Sequence, residues 1–349
     1  MVADALVNIV LFVPLGAALA TCRRSAVGIL TSALVLSAAI ESVQLALPGR
    51  QSSLADVIFN TAGAGAGLLL ARLAPRLLRA EGRWAARLSL AASCLAAGAT
   101  LLAGQLLAPS LPRSRYEARW TPTARVEDPY RGTVLQAQVA GRSVRDDLDG
   151  SASVRADLLR GGAFRIVLLA GPPTSRMAPI VGIYDEDDRQ IAIVGADGSS
   201  LVFRYRTRAA SWQLDQPDVV LVDALAGVEV GDTVTIDVHR RPRGWRVLVN
   251  GEQEKVGFTV GHAWAVLLYG PGFPPRVQSL LGALWIAAVF VPIGYWARFR
   301  WESLVALILA MVAVGVLPMA GDLMPTPAIE IISAPTGFGI GFFFRQLNA

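Results

Sequence analysis

The chain has 349 residues, of which 53% are hydrophobic and 17% charged, and its mean hydropathy is +0.47. A soluble protein of this length needs more polar surface, so the apolar excess predicts membrane-embedded segments. The formal net charge is +5, but the arginines cluster beside apolar stretches. That pattern is typical of membrane topology signals, and we expect no nucleic-acid binding.

Seven apolar stretches are candidate membrane helices, because about 20 apolar residues cross about 30 Å of hydrocarbon. Six have the required length: 3–20, 27–47, 53–72, 87–108, 277–297 and 302–320. The seventh, 327–344, contains Pro335 and several glycines, and its composition fits either a span or a re-entrant segment. Since no positive charge precedes the first stretch, we expect it to be a retained span rather than a signal peptide.

The arginines predict the orientation of these stretches. The densest cluster lies between the third and fourth stretches and comprises Arg72, Arg76, Arg79, Arg83 and Arg87. By the positive-inside rule this loop is cytoplasmic, and alternation makes Arg23–Arg24, Arg298–Arg300 and Arg345 cytoplasmic as well. The same alternation places residues 113–275 outside. We therefore expect a multi-pass protein of a bacterial cell membrane with one extracytoplasmic domain.

The segment 113–275 has the pattern of an all-β sandwich. Its strand-like runs, rich in β-branched and aromatic residues, are Phe164–Leu169, Gln190–Val194, Leu201–Tyr205, Thr233–His239 and Trp245–Val249. Polar turns separate these runs at the spacing expected of a sandwich. Asn250-Gly251 predicts a type I′ hairpin turn.

The two membrane halves show a degenerate internal repeat. Phe12–Gly16 recurs as Phe290–Gly294 with one substitution. Asp56 precedes three alternate glycines, as Glu330 does at the same offset. We interpret this as a parallel duplication, although glycine-rich helices also resemble one another by composition. The predicted domains are a membrane half at 1–76, a linker and fourth span at 77–112, the sandwich at 113–275 and the second half at 276–349.

Polar residues concentrate in the first half, where lipid makes them costly. Glu41 and Gln44 share one face of the second stretch, Arg50 follows in the loop, and Asp56 and Asn60 share one face of the third. Two interpretations remain open: a buried ion pair that pins the helical hairpin, or a pocket for the headgroup of an amphiphilic or lipid-linked molecule. The glycines that follow, for which we expect helix packing, are Gly63, Gly65 and Gly67.

These residues resemble the VanZ-like family of bacterial membrane proteins over residues 4–72. The resemblance rests on Asn8–Gly16, Glu41–Gln44, Arg50 and Asp56–Gly63. It implies a membrane protein whose relatives include some associated with tolerance to glycopeptide antibiotics of the teicoplanin type. The matching positions, which have no assigned roles, are Asn8, Glu41, Gln44, Arg50, Asp56 and Asn60. Of these positions, the second half has a counterpart only for Asp56, which is Glu330, so we expect any site to lie in the first half.

The outer segment resembles, more loosely, laminin-G or concanavalin-like jelly rolls, which implies glycan binding and in some relatives calcium. The runs that carry the likeness are Phe164–Val167, Ile180–Tyr184, Leu201–Arg204 and Leu248–Glu252. The acidic run Asp185–Asp188 fits a hairpin turn better than a calcium loop, which needs six to eight ordered oxygens. The candidate aromatics for sugar stacking or for the core are Trp120, Trp212, Trp245, Trp264 and Tyr205.

Three functional classes compete. The first is a non-enzymatic envelope protein that contacts membrane lipid and binds a lipid-linked cell-wall precursor or glycan, with no cofactor and no metal. The second is an enzyme acting on a lipid-linked substrate, with Glu41 or Asp56 as general acid or base, although no nucleophile or phosphate cradle accompanies them and no catalytic residue is identified. The third is a transporter, suggested by the duplicated halves. We favour the first.

Overall fold

The computed structural model describes residues 2–22, 25–44, 53–122, 128–139, 141–144, 146–147, 151–160, 163–212, 214, 216–241, 243–266, 273, 275–298 and 301–347. The chain forms two compact units. The first is Met1–Leu88 with Trp212–Leu214, and the second is Ser89–Ser211 with Asp215–Ala349. The four predicted domain segments stay a prediction.

The first unit is built on three long apolar helices. They are α1 (Val2–Thr21), α2 (Ala26–Gln44) and α3 (Leu54–Leu78), and the next helix, α4 (Gly82–Leu107), begins in this unit. The predicted stretches 3–20, 27–47 and 53–72 therefore form helices, although residues 45–47 lie outside the described part of the chain. α1 and α3 pack closely because Gly63 and Gly67 of α3 lie directly against the α1 backbone.

The second unit contains the rest of α4 and the C-terminal helices. These helices are α6 (Pro275–Trp296), α7 (Trp301–Gly315), α8 (Leu317–Ala320) and α9 (Ala328–Leu347). Two buried hydroxyls tie α4 to this bundle: Ser89 Oγ donates to the Ile293 carbonyl at 2.8 Å, and Ser93 Oγ donates to the Ala306 carbonyl at 2.8 Å. Such bonds satisfy polar side chains inside an apolar bundle.

Two C-terminal stretches form helices that differ from what composition suggests: the first is broken and the second is continuous. The predicted helix 302–320 is wrong as a single element, because α7 ends at Gly315 and the short α8 follows. Pro318, which has no N–H and whose ring clashes with the preceding turn, accounts for the break. The stretch 327–344 is a continuous 20-residue helix that runs through Pro335. At 1.5 Å per residue it is about 30 Å long, which is the length of a span and not of a re-entrant hairpin.

The internal repeat is visible in how the helices cross. A Cβ at Gly16, Gly63 or Gly67 would collide with the backbone of the partner helix in the α1–α3 pair. Gly294, Gly337 and Gly341 make the same collisions in the α6–α9 pair, with partner residues shifted in the same way. Numbers in the first helix of each pair differ by 278 (Gly16 and Gly294), and those in the last by 274 (Gly63 and Gly337). The two helix pairs therefore share one packing geometry.

The β-rich part of the second unit consists of two six-stranded antiparallel sheets. Their orders are β4-β1-β6-β7-β8-β9 and β12-β11-β10-β5-β2-β3. The strands of the first sheet are β1 (Tyr116–Trp120), β4 (Asp146–Asp147), β6 (Ala178–Asp185), β7 (Gln190–Asp197), β8 (Ser200–Tyr205) and β9 (Val219–Leu221). Those of the second are β2 (Thr133–Val139), β3 (Arg142–Ser143), β5 (Ala163–Leu169), β10 (Thr233–Arg241), β11 (Gly244–Val249) and β12 (Glu252–Val256).

The predicted β character of this segment is confirmed, with one addition. All five strand-like runs form strands, and the Asn250-Gly251 turn joins β11 to β12 with positive φ at both residues, as a type I′ turn requires. Alternate residues of β10 and β11 are buried, so each strand has one core face. The segment also contains an α-helix, α5 (Ser151–Arg160), which buries Val154 and Leu158.

Four helices in the described part of the chain are long and apolar enough to cross a membrane. Their apolar segments are Ala26–Gln44, Leu54–Leu78, Gly82–Leu107 and Arg276–Trp296. Two shorter apolar helical segments, Ala5–Thr21 and Trp301–Gly315, accompany them. Exposed leucine, isoleucine and valine side chains cover these helices. Such surfaces require a hydrocarbon solvent, so the protein is a membrane protein.

Candidate functional site

Two polar contacts join α2 to α3 in the first unit. A Glu41 carboxylate oxygen accepts a hydrogen bond from the Ser53 N–H at 2.8 Å. About two turns further along α3 from Ser53, the Asn60 side-chain amide donates to Ser37 Oγ at 2.9 Å. Glu41 is 6% exposed, Asn60 5% and Ser37 0%. These four residues place a buried polar strip in an otherwise apolar helix interface.

Glu41 lies where the amino end of α3 begins. Ser53 is the N-cap residue of α3, and the first turn of a helix presents unpaired N–H groups and a partial positive charge. The buried carboxylate is stabilised by this arrangement, which explains how an acid is tolerated at the interface. This contact supports the interpretation of Glu41 as a residue that fixes the helical hairpin.

Asn60 differs from Glu41 because one of its polar atoms has no hydrogen-bond partner among the described residues. Its Oδ1 atom is buried and accepts no hydrogen bond from any residue that the structure describes. An unsatisfied buried acceptor costs about 1–3 kcal/mol, so native proteins rarely retain one without a reason. The side chain therefore has a free acceptor beside the strip that Ser37 and Glu41 define.

The remaining predicted residues lie on the helices around this strip. Asp56 is half-buried in the first turn of α3, Gln44 is half-buried at the end of α2, and Asn8 is half-buried on α1. Arg50 lies outside the described residues. Of the three predicted packing glycines, Gly63 and Gly67 abut α1, whereas a Cβ at Gly65 would meet Leu30 of α2 at 3.5 Å, an ordinary contact.

In the second half the equivalent acid is fully engaged. Glu330, which occupies the position of Asp56 in the repeat, is 4% exposed. Its carboxylate accepts hydrogen bonds from Thr259 Oγ1 at 2.6 Å and from the Gly261 N–H at 3.0 Å. Thr259 and Gly261 belong to the segment that leads from β12 into α6. Glu330 therefore fastens the end of the sandwich to the first turn of α9.

His262 extends this fastening. Its Nδ1 accepts from the Thr259 N–H at 3.1 Å and lies 2.9 Å from Thr259 Oγ1. Because burial lowers the pKa of His262 to about 4, the imidazole is neutral at physiological pH. A neutral ring with an accepting Nδ1 carries its proton on Nε2. The buried acid was the only sign of this cluster in the sequence, since Thr259 and Gly261 lie 71 and 69 residues before Glu330.

The two serines in the α2–α3 strip, Ser37 and Ser53, are the residues that sequence reasoning missed. Ser37 lies one turn before Glu41 on the same face of α2, so its position was a usable signal. Ser53 contributes its backbone N–H rather than its side chain. A main-chain donor leaves no mark on the residue type, and only the fold reveals it.

The predicted features of the outer segment separate into turn, core and surface. The run Asp185–Asp188 forms the turn between β6 and β7. Burial raises the pKa of the Asp185 carboxyl, but hydrogen bonds from Arg189 outweigh this effect and hold the pKa below its ordinary value. Tyr205 and Trp245 pack in the core with ring centroids 5.1 Å apart, and Trp212 is exposed. Trp120 and Trp264 are half-buried.

The fold and the buried strip define the class of the protein as a helical membrane protein that carries a β-sandwich. A comparison with protein families narrows this for one part of the chain. The family model described as VanZ/LLP1 matches residues 2–75, which include α1, α2 and nearly all of α3, and this part is VanZ-like. No curated protein and no solved structure matches the chain.

Proposed function

We propose that the protein is a non-enzymatic component of the bacterial cell envelope that binds the headgroup of a lipid-linked cell-wall precursor beside the α2–α3 strip. The observation that carries this proposal is the contrast between the two halves. In the second half, the Glu330 carboxylate accepts hydrogen bonds from Thr259 Oγ1 and from the Gly261 N–H. In the first half, the buried Asn60 retains an acceptor with no described donor.

The chemistry of the strip defines the ligand that would fit. The Glu41 and Asp56 carboxylates and the Asn60 carbonyl are hydrogen-bond acceptors. A complementary headgroup therefore offers amide N–H, hydroxyl or ammonium donors, which the peptide and sugar parts of a cell-wall precursor provide. In the second half, the groups that donate hydrogen bonds to Glu330 are of the same kind: a hydroxyl and a peptide N–H.

The arginine distribution supports an extracytoplasmic position for the strip and for the sandwich. Arg76 and Arg79 lie at the opposite end of α3 from Asp56, which favours a cytoplasmic location for that end. The N-terminal end of α3 then lies at the outer surface, where lipid-linked precursors are used. In this arrangement the sandwich, for which we propose a jelly-roll topology, contacts glycan or another envelope protein, and the protein confers tolerance to teicoplanin-type glycopeptides.

The test combines binding and susceptibility. The full-length protein and its Glu41→Gln and Asp56→Asn variants are expressed at matched membrane levels in a teicoplanin-sensitive bacterium. The purified proteins are titrated with a lipid-linked precursor. Ser42→Ala is the matched control, because Ser42 is exposed on the next position of α2 and bonds only within its own helix. We expect Asp56→Asn to weaken binding at least tenfold and to abolish protection, and Ser42→Ala to change neither.

Equal binding by the wild type and both variants, with all proteins correctly inserted, contradicts the proposal and leaves the strip as a structural clasp of the helical hairpin. Binding without protection retains the site and removes antibiotic tolerance from its function. Turnover of the precursor that disappears in Asp56→Asn replaces a binding function with an enzymatic one.

A further inference from the structure

The outer face of the second sheet carries three basic residues side by side. Lys255 of β12 is directly opposite Arg246 of β11, and Arg246 is directly opposite His239 of β10. All three point away from the core, because their neighbours Trp245, Val247 and Val238 are the buried residues of β10 and β11. His239, Arg246 and Lys255 are named the basic row below.

This pairing is unfavourable for the sheet itself. Like charges directly opposite one another on adjacent antiparallel strands destabilise the pair. No ion pair joins a member of the basic row to an acidic side chain among the described residues. The adjacent row on the same face is balanced, since Arg165 Nε lies 3.6 Å from Asp237 Oδ1. The uncompensated charge is therefore confined to one row and needs an external counter-charge.

The basic row lies at the end of the sheet that joins the helical bundle. The turn between β10 and β11 touches the loop before α9, where the Arg243 N–H donates to Asp322 at 2.7 Å. Past Val256, the Met324 N–H donates to the Phe258 carbonyl at 2.8 Å, and Gly261 packs against Gly282 of α6. The row is thus about two strand residues, or about 7 Å, from the point where the chain reaches the helices.

The distance of the basic row from the helices corresponds to the thickness of the headgroup layer of a bilayer. The hydrocarbon core is about 30 Å thick and the whole bilayer about 40–45 Å, which leaves about 5–8 Å of headgroups on each side. Arginine and lysine side chains extend several ångströms and reach down to phosphate oxygens. Arg241, exposed on β10 two residues nearer the helices than His239, adds a further cation between the row and the helices.

We propose that the basic row binds the phosphate groups of anionic phospholipids in the leaflet beside the sandwich, and so orients the sandwich on the membrane surface. Arginine binds phosphate with two parallel hydrogen bonds, and lysine binds it as a point charge. The proposal is independent of the α2–α3 strip. It requires only that the helices of the second unit lie in a membrane.

The first experiment measures lipid affinity by native mass spectrometry. Full-length protein in neutral detergent is titrated with phosphatidylglycerol and with phosphatidylcholine. Each surface cation contributes about fivefold to anionic lipid binding, so we expect the double variant Arg246→Gln, Lys255→Gln to bind phosphatidylglycerol about 30-fold more weakly. Phosphatidylcholine binding stays unchanged. Arg165→Gln is the matched control, because it removes a cation from the same face that already has a partner, and its effect stays within about twofold.

A second measurement needs no variant. Lys255 is the only lysine in the sequence, so its acetylation by a water-soluble reagent reports its exposure directly. We expect acetylation in phosphatidylglycerol nanodiscs to be at least fivefold slower than in phosphatidylcholine nanodiscs. This difference should disappear at 1 M salt, where the Debye length falls to about 3 Å.

Equal acetylation in the two lipids, or equal phosphatidylglycerol affinity of the wild type and the double variant, overturns the proposal. Binding of a soluble anionic polysaccharide that depends on the row, in place of lipid binding, also overturns it and assigns the row to a wall polymer.

Discussion

Replacing Glu330 by alanine tests whether this residue fastens the sandwich to the second helical half. The substitution removes the acceptor of the Thr259 hydroxyl and of the Gly261 N–H. A buried donor without a partner costs about 1–3 kcal/mol. Thr259 retains His262 Nδ1 at 2.9 Å as an alternative partner, so most of the loss falls on Gly261 and on the space left by the carboxylate. We expect the second unit to lose about 2–4 kcal/mol.

Thermal unfolding of the full-length protein in detergent, followed by size-exclusion chromatography, measures this loss. A destabilisation of this size lowers Tm by about 4 to 12 °C. Glu330→Gln keeps one acceptor for the Gly261 N–H, and we expect it to lose less than half as much. Asp56→Ala, the equivalent change in the first half, is expected to lower stability less than Glu330→Ala does, because Asp56 is half-buried whereas Glu330 is 4% exposed. Equal shifts for Glu330→Ala and Asp56→Ala would refute the reasoning.

Three further changes test other parts of the structure. Gly337→Ala should lower stability by about 1–3 kcal/mol, because the added methyl meets the α6 backbone, whereas Gly339→Ala, with open space around it, should raise stability by up to about 1 kcal/mol. Since the folded-state pKa of His262 is about 4 and the unfolded value 6.5, the unfolded chain binds more protons between these values. Stability should then fall by up to about 3 kcal/mol from pH 6.5 to pH 4. In a background without native cysteines, Gln253→Cys should react with an impermeant maleimide in intact cells.

Each of these expectations has a contradicting outcome. Equal melting of the two glycine variants would show that the helices separate without cost. A pH dependence that survives His262→Gln would assign the slope to another group. Labelling of the introduced cysteine only after lysis would place the sandwich in the cytoplasm.

The sequence predicts most of the secondary structure because lipid and sheet impose strong patterns. Apolar length places α1, α3, α4, α6 and α9 to within a few residues, since about 20 apolar residues are needed to cross hydrocarbon. Alternation of buried and exposed residues places the main strands, and the Asn-Gly pair fixes the β11–β12 turn. The repeat is predicted from five residues and a glycine spacing, and the crossing of the helices reproduces both.

What the sequence does not predict depends on contacts between distant residues. The helix break after Gly315 depends on Pro318. A proline does not always break a membrane helix, since α9 continues through Pro335. The donor to the Glu41 carboxylate is not predictable from the sequence, because it is the main-chain N–H of Ser53. The bond from Asn60 to Ser37 spans 23 residues, and a small hydroxyl in an apolar helix carries no signal of its own.

The duplicated halves offer a physical reason why Glu330 fastens the sandwich to the second helical half. The same glycine contacts occur in both halves, so Asp56 and Glu330, each seven residues before the first of these glycines on its helix, have the same backbone setting. The outcome differs because the chain before α6 supplies Thr259 and Gly261 as donors to Glu330. Because a glutamate has one more methylene than an aspartate, the Glu330 carboxylate extends further from α9 toward these donors. The donors and the longer acid together fasten the end of the sandwich to the first turn of α9.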